Sequence, residues 1–221
     1  MKKIKVLNLY AGIGGNRKLW ENVEVTAIEI NKSIANQYQK NFPNDNVIIT
    51  DAHRFLLKNF EDYDFIWSSP PCPTHSKIRF MATKVNAITH PSWNKKYPNM
   101  ELYQEIIFLI HYAKCKWVVE NVISYYEPLI KPFESGKHYF WSNFHITNYK
   151  IDSRMHFATI KEKEKKVGFT LENVKFNDAR KDEVLRNCVE PRLGQHIFKC
   201  AFKEQQKILG DIFNDKQITN S

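Results

Sequence analysis

The chain has 221 residues, 43% of them hydrophobic and 26% charged, which is the balance of a globular protein with one good-sized core. Its 33 Lys and Arg residues outnumber 24 Asp and Glu, and this net charge of +9 favours a polyanionic partner, although solubility alone also explains such an excess. The sequence has no apolar run near the roughly 20 residues that span a bilayer and no secretory segment, so we expect a cytoplasmic protein. Its four cysteines are too scattered for a disulfide framework, so we expect free thiols.

Short β-rich runs alternate with helix-like segments through the first 122 residues. The runs rich in Val, Ile and aromatic residues predict strands at Lys5–Tyr10, Val25–Ile30, Asn46–Thr50, Asp64–Ser68 and Trp117–Val122. Segments with helical spacing of apolar residues lie at Asn31–Phe42, Ala52–Phe60 and Asn99–Ala113. Because strands that alternate with helices form right-handed crossovers, the pattern predicts a doubly wound α/β fold with a mainly parallel, Rossmann-like sheet.

Two stretches interrupt this alternation. Residues 70–98 contain five prolines and many basic residues, which is typical of a long functional loop. From about Thr147 to Lys181 the sequence is polar and basic, and its charge run Lys161–Lys166 predicts a solvated hairpin tip or loop. An amphipathic helix follows from about Pro191 to Leu209.

A glycine-rich turn follows the first predicted strand. The segment Tyr10–Gly15 reads Tyr-Ala-Gly-Ile-Gly-Gly, and such a turn lets the backbone approach a nucleotide cofactor closely. Glu29 at the end of the second strand is placed to accept hydrogen bonds from ribose hydroxyls. Asp51 after the third strand is placed to accept one from an adenine amine. An acid at either position can equally be a helix cap or a surface charge. These features leave nicotinamide dinucleotides and S-adenosylmethionine both open.

A candidate nucleophile follows the fourth predicted strand. Cys72 lies among three prolines in the segment Ser69–Ser76, which stiffens the turn that carries the thiol. Glu120-Asn121-Val122 ends the fifth strand, so a thiol and a carboxylate come to the same edge of the sheet. That arrangement favours nucleophilic attack with acid assistance.

Five segments, in order, resemble the motifs of the cytosine-C5 DNA methyltransferase family. Leu9–Gly15 is similar to the first motif, Pro70-Pro71-Cys72 to the catalytic loop, and Glu120-Asn121-Val122 to the ENV motif. Tyr139–Asn143 resembles the segment after the motif arginine, and Asn187–Pro191 the late motif that returns to the cofactor site. The resemblance implies transfer of a methyl group from S-adenosyl-L-methionine to C5 of a flipped cytosine, with a covalent bond from Cys72 to C6 and with protonated Glu120 at N3.

The resemblance also assigns residues to roles. Where the family has an arginine, this chain offers Lys137 or His138, and the catalytic set is Cys72, Glu120, Asn121 and Lys137. The cofactor residues are Leu9, Tyr10, Ala11, Gly12, Gly14, Gly15, Glu29, Ile30, Asp51, Ala52, Pro70, Asn187 and Val189. Because the thiolate is the reactive form, we expect an electropositive setting that lowers the pKa of Cys72. Asn8 and Arg186 depart from the family, which has an acid and a glycine at these positions.

Double-stranded DNA is the expected partner. The predicted nucleic-acid contacts are Ser76, Lys77, Arg79, His138, Arg154, Lys175 and Arg180. We predict a catalytic domain at 1–146, a reduced target-recognition region at 147–181 that reads a short target, and a C-terminal helix at 182–221 that returns to the catalytic domain. Cys72 and His75 lack a second ligand pair, so we expect no metal; we also expect a monomer, no membrane contact, and a restriction endonuclease acting on the same site as a partner. A transfer-RNA methyltransferase and a non-catalytic nucleic-acid-binding protein are the alternatives.

Overall fold

The structure is a computed structural model, and it describes residues 2–77, 80, 97–149, 159–171, 174–177 and 179–202. The described strands belong to one sheet. The described strands are β1 Ile4–Leu9, β2 Val23–Ile28, β3 Asn46–Ile48, β4 Phe65–Ser68, β5 Lys116–Val122, β6 Phe133–Ser135 and β7 His138–Ser142. The helices are α1 Lys32–Asn41, α2 Ala52–Asn59, α3 Glu101–Tyr112, α4 Ile160–Val167, α5 Lys181–Arg186 and α6, of which residues 191–202 are described. A short 3-10 helix, Phe60–Asp62, follows α2.

The sheet has the order β3-β2-β1-β4-β5-β7-β6 among the described strands. Strands β1 to β5 pair in parallel, whereas β7 runs antiparallel between β5 and β6. The predicted doubly wound α/β fold is confirmed, and each of the five predicted strands lies within two residues of its observed bounds. The hairpin of β6 and β7 was not among the predicted strands.

Successive residues of the central strands point to opposite faces of the sheet, and each face carries its own core. On one face Val6, Phe65 and Val118 pack with Trp20 and with α6. On the other face the core joins the sheet to α2 and α3 through residues including Leu7, Ile66, Val119, Leu56 and Ile106. Because both faces are covered, the carboxyl edge of the parallel strands is left as the place for a ligand.

The charge run Lys161–Lys166 lies on helix α4, so its prediction as a hairpin tip or loop was wrong. Thr159 and Glu162 form a capping box at the start of the helix, and Gly168 ends it in the left-handed conformation. Lys163 is buried and forms an ion pair with Asp182 of α5. The run therefore makes up most of an ordered helix.

The region predicted to recognise the target packs against the glycine-rich turn. Val167, Phe169 and Leu171 share an apolar cluster with Ile13 of that turn and with Val184 of α5. The predicted helix Pro191–Leu209 is observed through residue 202, and its remaining residues lie outside the described ones. Of the helices that the structure describes, none has the length and apolar character to span a bilayer.

Candidate active site

The glycine-rich turn forms one wall of a cleft at the carboxyl edge of the sheet. Tyr10 has φ +55°, Gly12 has φ +56°, and no atom lies within 4 Å of the position that a Cβ on Gly12 would take. A left-handed residue that faces open space is suited to glycine, and it lets a ligand approach the backbone. Gly15 meets the late motif instead, because a Cβ there would lie 2.2 Å from Sγ of Cys188.

Glu29 is held by the backbone at the end of β2. One carboxylate oxygen accepts from the Gly12 amide at 3.0 Å, and the other accepts from the Asn31 amide at 2.9 Å. Burial raises the pKa of Glu29, although the amide hydrogen bonds act in the opposite direction. Each oxygen keeps a further lone pair, so the fixed carboxylate can accept from a pair of hydroxyls in the cleft.

Most of the predicted cofactor residues line this cleft. These are Tyr10, Ala11, Gly12, Gly15, Glu29, Ile30, Pro70, Asn187 and Val189. The other four lie outside its lining. Leu9 is core, Gly14 faces the ring of Phe42, and Ala52 is buried in α2. Asp51 caps α2 by accepting from the Arg54 amide at 2.8 Å, so its contact with a cofactor stays a prediction.

The loop that carries Cys72 is fastened to the end of β5. Asn121 donates from its side-chain amide to the Pro70 carbonyl at 2.9 Å, and its oxygen accepts from the Val122 amide at 2.9 Å. Beyond the cysteine, Ser76 forms a β-bridge with Ser124. These bonds hold the thiol beside the Glu120 strand.

The surroundings of Cys72 differ from the expected electropositive setting. Burial, together with the negative charge of Glu120, raises the pKa of Cys72 to about 11, so the prediction of a lowered pKa was wrong for the protein without substrate. Among the described residues, the charged group that acts on this thiol is Glu120. The resting cysteine is therefore a thiol.

Glu120 is in contact with His138. The Nδ1 atom of His138 lies 2.5 Å from Oε1 of Glu120, and both side chains line the cleft with Cys72. Lys137 lies in the exposed turn before β7 and outside the lining of the cleft, so its catalytic role stays a prediction. His138, predicted as a nucleic-acid contact, takes the position beside the acid.

The remaining predicted nucleic-acid residues lie outside the lining of this cleft. Lys77, Lys175 and Arg180 are exposed, and Ser76 is half-buried in its bridge to Ser124. Arg79 and Arg154 lie outside the described residues. Contact with nucleic acid by any of these side chains stays a prediction.

A buried carboxylate behind the glycine-rich turn was not predicted. Glu105 of α3 is fully buried, accepts from the Tyr10 hydroxyl at 2.5 Å and from the Ser68 hydroxyl at 2.7 Å, and lies 3.2 Å from Nδ1 of His53. A hydrogen bond from His53 to Glu105 raises the pKa of His53 against the effect of burial. An acid within the apolar stripe of a predicted helix is the sequence signal that could have identified this group.

The cleft has the size and the lining of a nucleoside-cofactor site. Its volume is about 410 Å³, within the usual range for small-molecule sites. Ile13, Ile30 and Ile34 give it an apolar wall beside the Glu29 carboxylate. An aromatic base fits such a wall, and ribose hydroxyls fit the carboxylate, so these residues suit S-adenosylmethionine. In the described residues, no cluster of three His, Cys, Asp or Glu side chains could hold a metal.

Comparisons with known proteins agree with this site. Residues 4–128, more than half of the chain, match the family of C-5 cytosine-specific DNA methylases. The chain belongs to this family, whose methyl donor is S-adenosylmethionine, as the motifs had implied.

Individual relatives match over shorter parts. Human tRNA (cytosine(38)-C(5))-methyltransferase is 34% identical over 86 residues, which cover 35% of this chain and 22% of that protein. The match thus spans about a fifth of the relative's length. The structure of DNMT2 from Spodoptera frugiperda is 24% identical with a TM-score of 0.37, covering 54% of this chain and 36% of that chain. The methyltransferase EhMeth from Entamoeba histolytica is 15% identical with a TM-score of 0.40, covering 74% and 60% respectively.

Proposed function

We propose that the chain is a DNA cytosine-C5-methyltransferase with Cys72 as its nucleophile. The observation that carries the proposal is one cleft whose lining includes both the pair Cys72 and Glu120 and the pair Gly12 and Glu29. The first pair provides a thiol and an acid for a pyrimidine ring, and the second pair fits a nucleoside cofactor. The two reacting molecules can therefore lie side by side.

The ring chemistry follows from the reactivity of cytosine. C5 is a weak nucleophile until a group adds at C6, and C6 is stacked inside a duplex, so the base must first be flipped into the cleft. Cys72 gives its proton to solvent, and takes one back after it leaves C6 at the end of the reaction. Its sulfur forms a bond to C6, the C5=C6 electron pair moves to the C4–C5 bond, and N3 takes a proton from the Glu120 side. The ring then carries electron density at C5.

The second half of the reaction restores the ring. S-adenosylmethionine, when bound, supplies the methyl group that C5 receives. Loss of the C5 proton to solvent re-forms the C5=C6 bond, expels Cys72 as thiolate and returns the N3 proton to the protein. Asn121 keeps the Cys72 loop and the Glu120 strand at a fixed separation throughout, through its bonds to Pro70 and to its own backbone.

DNA is the substrate that we favour over RNA. The family that matches residues 4–128 is described as a DNA methylase family, and a net charge of +9 suits either polyanion. Transfer RNA is the second candidate, because the human relative at 34% identity is named for that substrate. A purely binding role would leave the shared position of Cys72 and Glu120 unexplained.

The domain boundaries at 1–146, 147–181 and 182–221 form part of the proposal. A recognition region this small can contact few base edges, so we expect a short target sequence, which methylation mapping would measure. The monomeric state, the cytoplasmic location and a restriction endonuclease acting on the same target also stay predictions.

A covalent trap tests the proposed function. Duplex DNA and transfer RNA, each containing 5-fluorocytosine, are incubated with the protein and S-adenosylmethionine, and adducts are identified by mass spectrometry. Because fluorine at C5 cannot leave as a proton does, Cys72 stays bound to C6, and we expect an adduct with the DNA.

Matched cysteine variants complete the trap. Cys72→Ala should abolish the adduct, whereas Cys115→Ala should retain it because Cys115 lies outside the cleft. Cys115 is a matched control, since burial raises its pKa to about 11 as well. An adduct with transfer RNA alone would identify the second candidate. No adduct with either nucleic acid, or one that survives Cys72→Ala, would refute the proposed function.

A further inference from the structure

A histidine and an acid are in direct contact beside the nucleophile. His138 of β7 pairs with Val122, and Glu120 lies two residues from Val122 on β5, so the two side chains are diagonal neighbours across the strands. Nδ1 of His138 lies 2.5 Å from Oε1 of Glu120, so the two atoms share a hydrogen bond. The Glu120 side chain is 8% exposed and that of His138 is 27% exposed, so water screens the pair only weakly.

We propose that His138 and Glu120 form one acid that holds a single proton for N3 of the cytosine, with His138 as the member that titrates. The inference rests on the proposed function and deepens it. Glu120 touches the base, whereas His138 acts through Glu120 and is a positioning residue for its proton. At the position where the family has a permanently charged arginine, this chain thus has His138, whose side chain can lose its charge.

The proton balance of the pair follows the two halves of the reaction. Before the reaction the pair is an imidazolium beside a carboxylate, with no net charge. When the bond from Sγ of Cys72 to C6 forms, the N–H bond of His138 breaks, its proton passes through the Glu120 carboxylate to N3, and the pair carries one negative charge. When Cys72 leaves, the same proton returns to the pair, and the proton released overall is the one from C5.

The charged groups around His138 set the direction of its titration. Burial lowers the pKa of His138 and so does the charge of Lys137, but the charge and hydrogen bond of Glu120 outweigh them and raise it. From the loop after β4 the facing titratable group is the Cys72 thiol, and from β6 the paired residue is the uncharged Ser135. Since the pKa of His138 is raised, the pair loses its proton at a higher pH than an ordinary histidine does.

The pH profile of a single turnover tests this inference. Methyl transfer and adduct formation are measured between about pH 6 and 10 for the wild type, His138→Arg and His138→Gln. We expect the wild-type rate divided by the His138→Arg rate to fall at alkaline pH, because a guanidinium does not titrate there whereas ionisation of Cys72 acts on both proteins. His138→Gln should be slowed by roughly 10²-fold at pH 7, the usual effect of removing an acid catalyst, and its rate divided by that of His138→Arg should not show this fall.

His111→Arg on the exposed face of α3 serves as the control and should keep the wild-type profile. An alkaline fall of the same midpoint in wild type and His138→Arg would overturn the inference. A loss of rate by the same factor at every pH in both variants would leave the shape of the profile unchanged. That result would equally overturn the inference, since it is expected of a purely structural role. If His138→Arg fails to fold, the shape of the His138→Gln profile decides alone. Failure of the wild type to form any adduct would instead refute the proposed function.

Discussion

Cys72 lies in surroundings that keep it protonated until a substrate arrives. Burial and the charge of Glu120 both oppose ionisation, and a pKa of about 11 leaves roughly one thiol in 10⁴ ionised at pH 7. A thiol in this state reacts slowly with oxidants and electrophiles, because the thiolate is the nucleophile. The binding of a cytosine must therefore change these surroundings before the proton leaves.

Alkylation of Cys72 in the free protein should show this pKa. We expect its rate with iodoacetamide to rise about tenfold for each pH unit between 7 and 10, since the thiolate fraction rises in that proportion below a pKa of about 11. Glu120→Gln should speed the reaction at each pH, because it removes a charge that raises the pKa. Mass spectrometry of the Cys72 peptide measures both rates.

Cys115 in the same sample is the internal control. Burial raises its pKa also to about 11, but the acid near it is Asp64, so Glu120→Gln should leave its rate unchanged. A Cys72 rate that is already at its plateau at pH 7 would contradict the description of the resting thiol.

The sequence was sufficient to predict which residues lie together at the cleft, but it was insufficient to predict their surroundings. The motifs placed Cys72, Glu120 and Asn121 at one edge of the sheet, and the structure brings the three into one cleft, while their catalytic roles stay predictions. The choice between Lys137 and His138 depended on where β7 begins. Neighbouring residues at the start of a strand point in different directions, and a shift of one residue exchanges them.

Helix α4 shows how much a short element depends on its ends. It has eight residues, fewer than an isolated helix needs for stability, and its sequence is almost entirely charged. Its capping box, the buried Lys163 and the packing of Val167 provide the stability that the helix lacks by itself. The Thr159-x-x-Glu162 spacing and Gly168 were readable signals, and the charge run concealed them.

Removal of the helix cap should have a measurable cost. The Thr159 hydroxyl accepts from the Glu162 amide, so Thr159→Ala should lower the free energy of unfolding by about 1 kcal/mol, which is typical of a lost N-cap. Urea unfolding of the whole chain measures the change. Thr170→Ala, an exposed position after the same helix, should cost less than about 0.5 kcal/mol. Equal effects of the two substitutions would show that the cap contributes nothing particular.

At the scale of the whole molecule, the beginning and the end of the described chain are packed together. The Trp20 indole donates to the Gly194 carbonyl at 3.1 Å, and its ring stacks on Phe198 at 5.3 Å between centroids. Gly194 lies against the backbone of Asn16, where a Cβ would come within 2.4 Å of a carbonyl oxygen. Helix α6 thereby supports the segment that follows the glycine-rich turn.

A methyl group at Gly194 should disturb the cofactor site from a distance. Because the neighbouring atoms are backbone, Gly194→Ala must displace either α6 or the Asn16 segment, so we expect a loss of stability of about 1–3 kcal/mol and weaker binding of S-adenosylmethionine. Thermal unfolding and calorimetric titration measure the two effects. Lys199→Ala on the exposed side of the same helix is the control and should change neither. Unchanged cofactor affinity in Gly194→Ala would show that the packing of α6 does not affect the cofactor site.

The architecture was predictable because alternating strands and helices allow few arrangements. Parallel pairing of β1 to β5 follows from the crossover rule, whereas the insertion of β7 between β5 and β6 reverses direction and has no period in the sequence. The close approach of Gly194 to Asn16 joins residues far apart in the chain, and such packing contacts leave no local pattern to read.

The contact of Trp20 with Gly194 has a consequence for synthesis. On the ribosome, all seven described strands have been translated by residue 142, yet Asn187 and Val189, which line the cleft together with Gly12, are still to be made. A nascent chain at that point has its sheet but lacks part of the cleft lining, as well as the helix that carries Gly194. A ligand that contacts those residues can therefore stabilise only the later stages of folding.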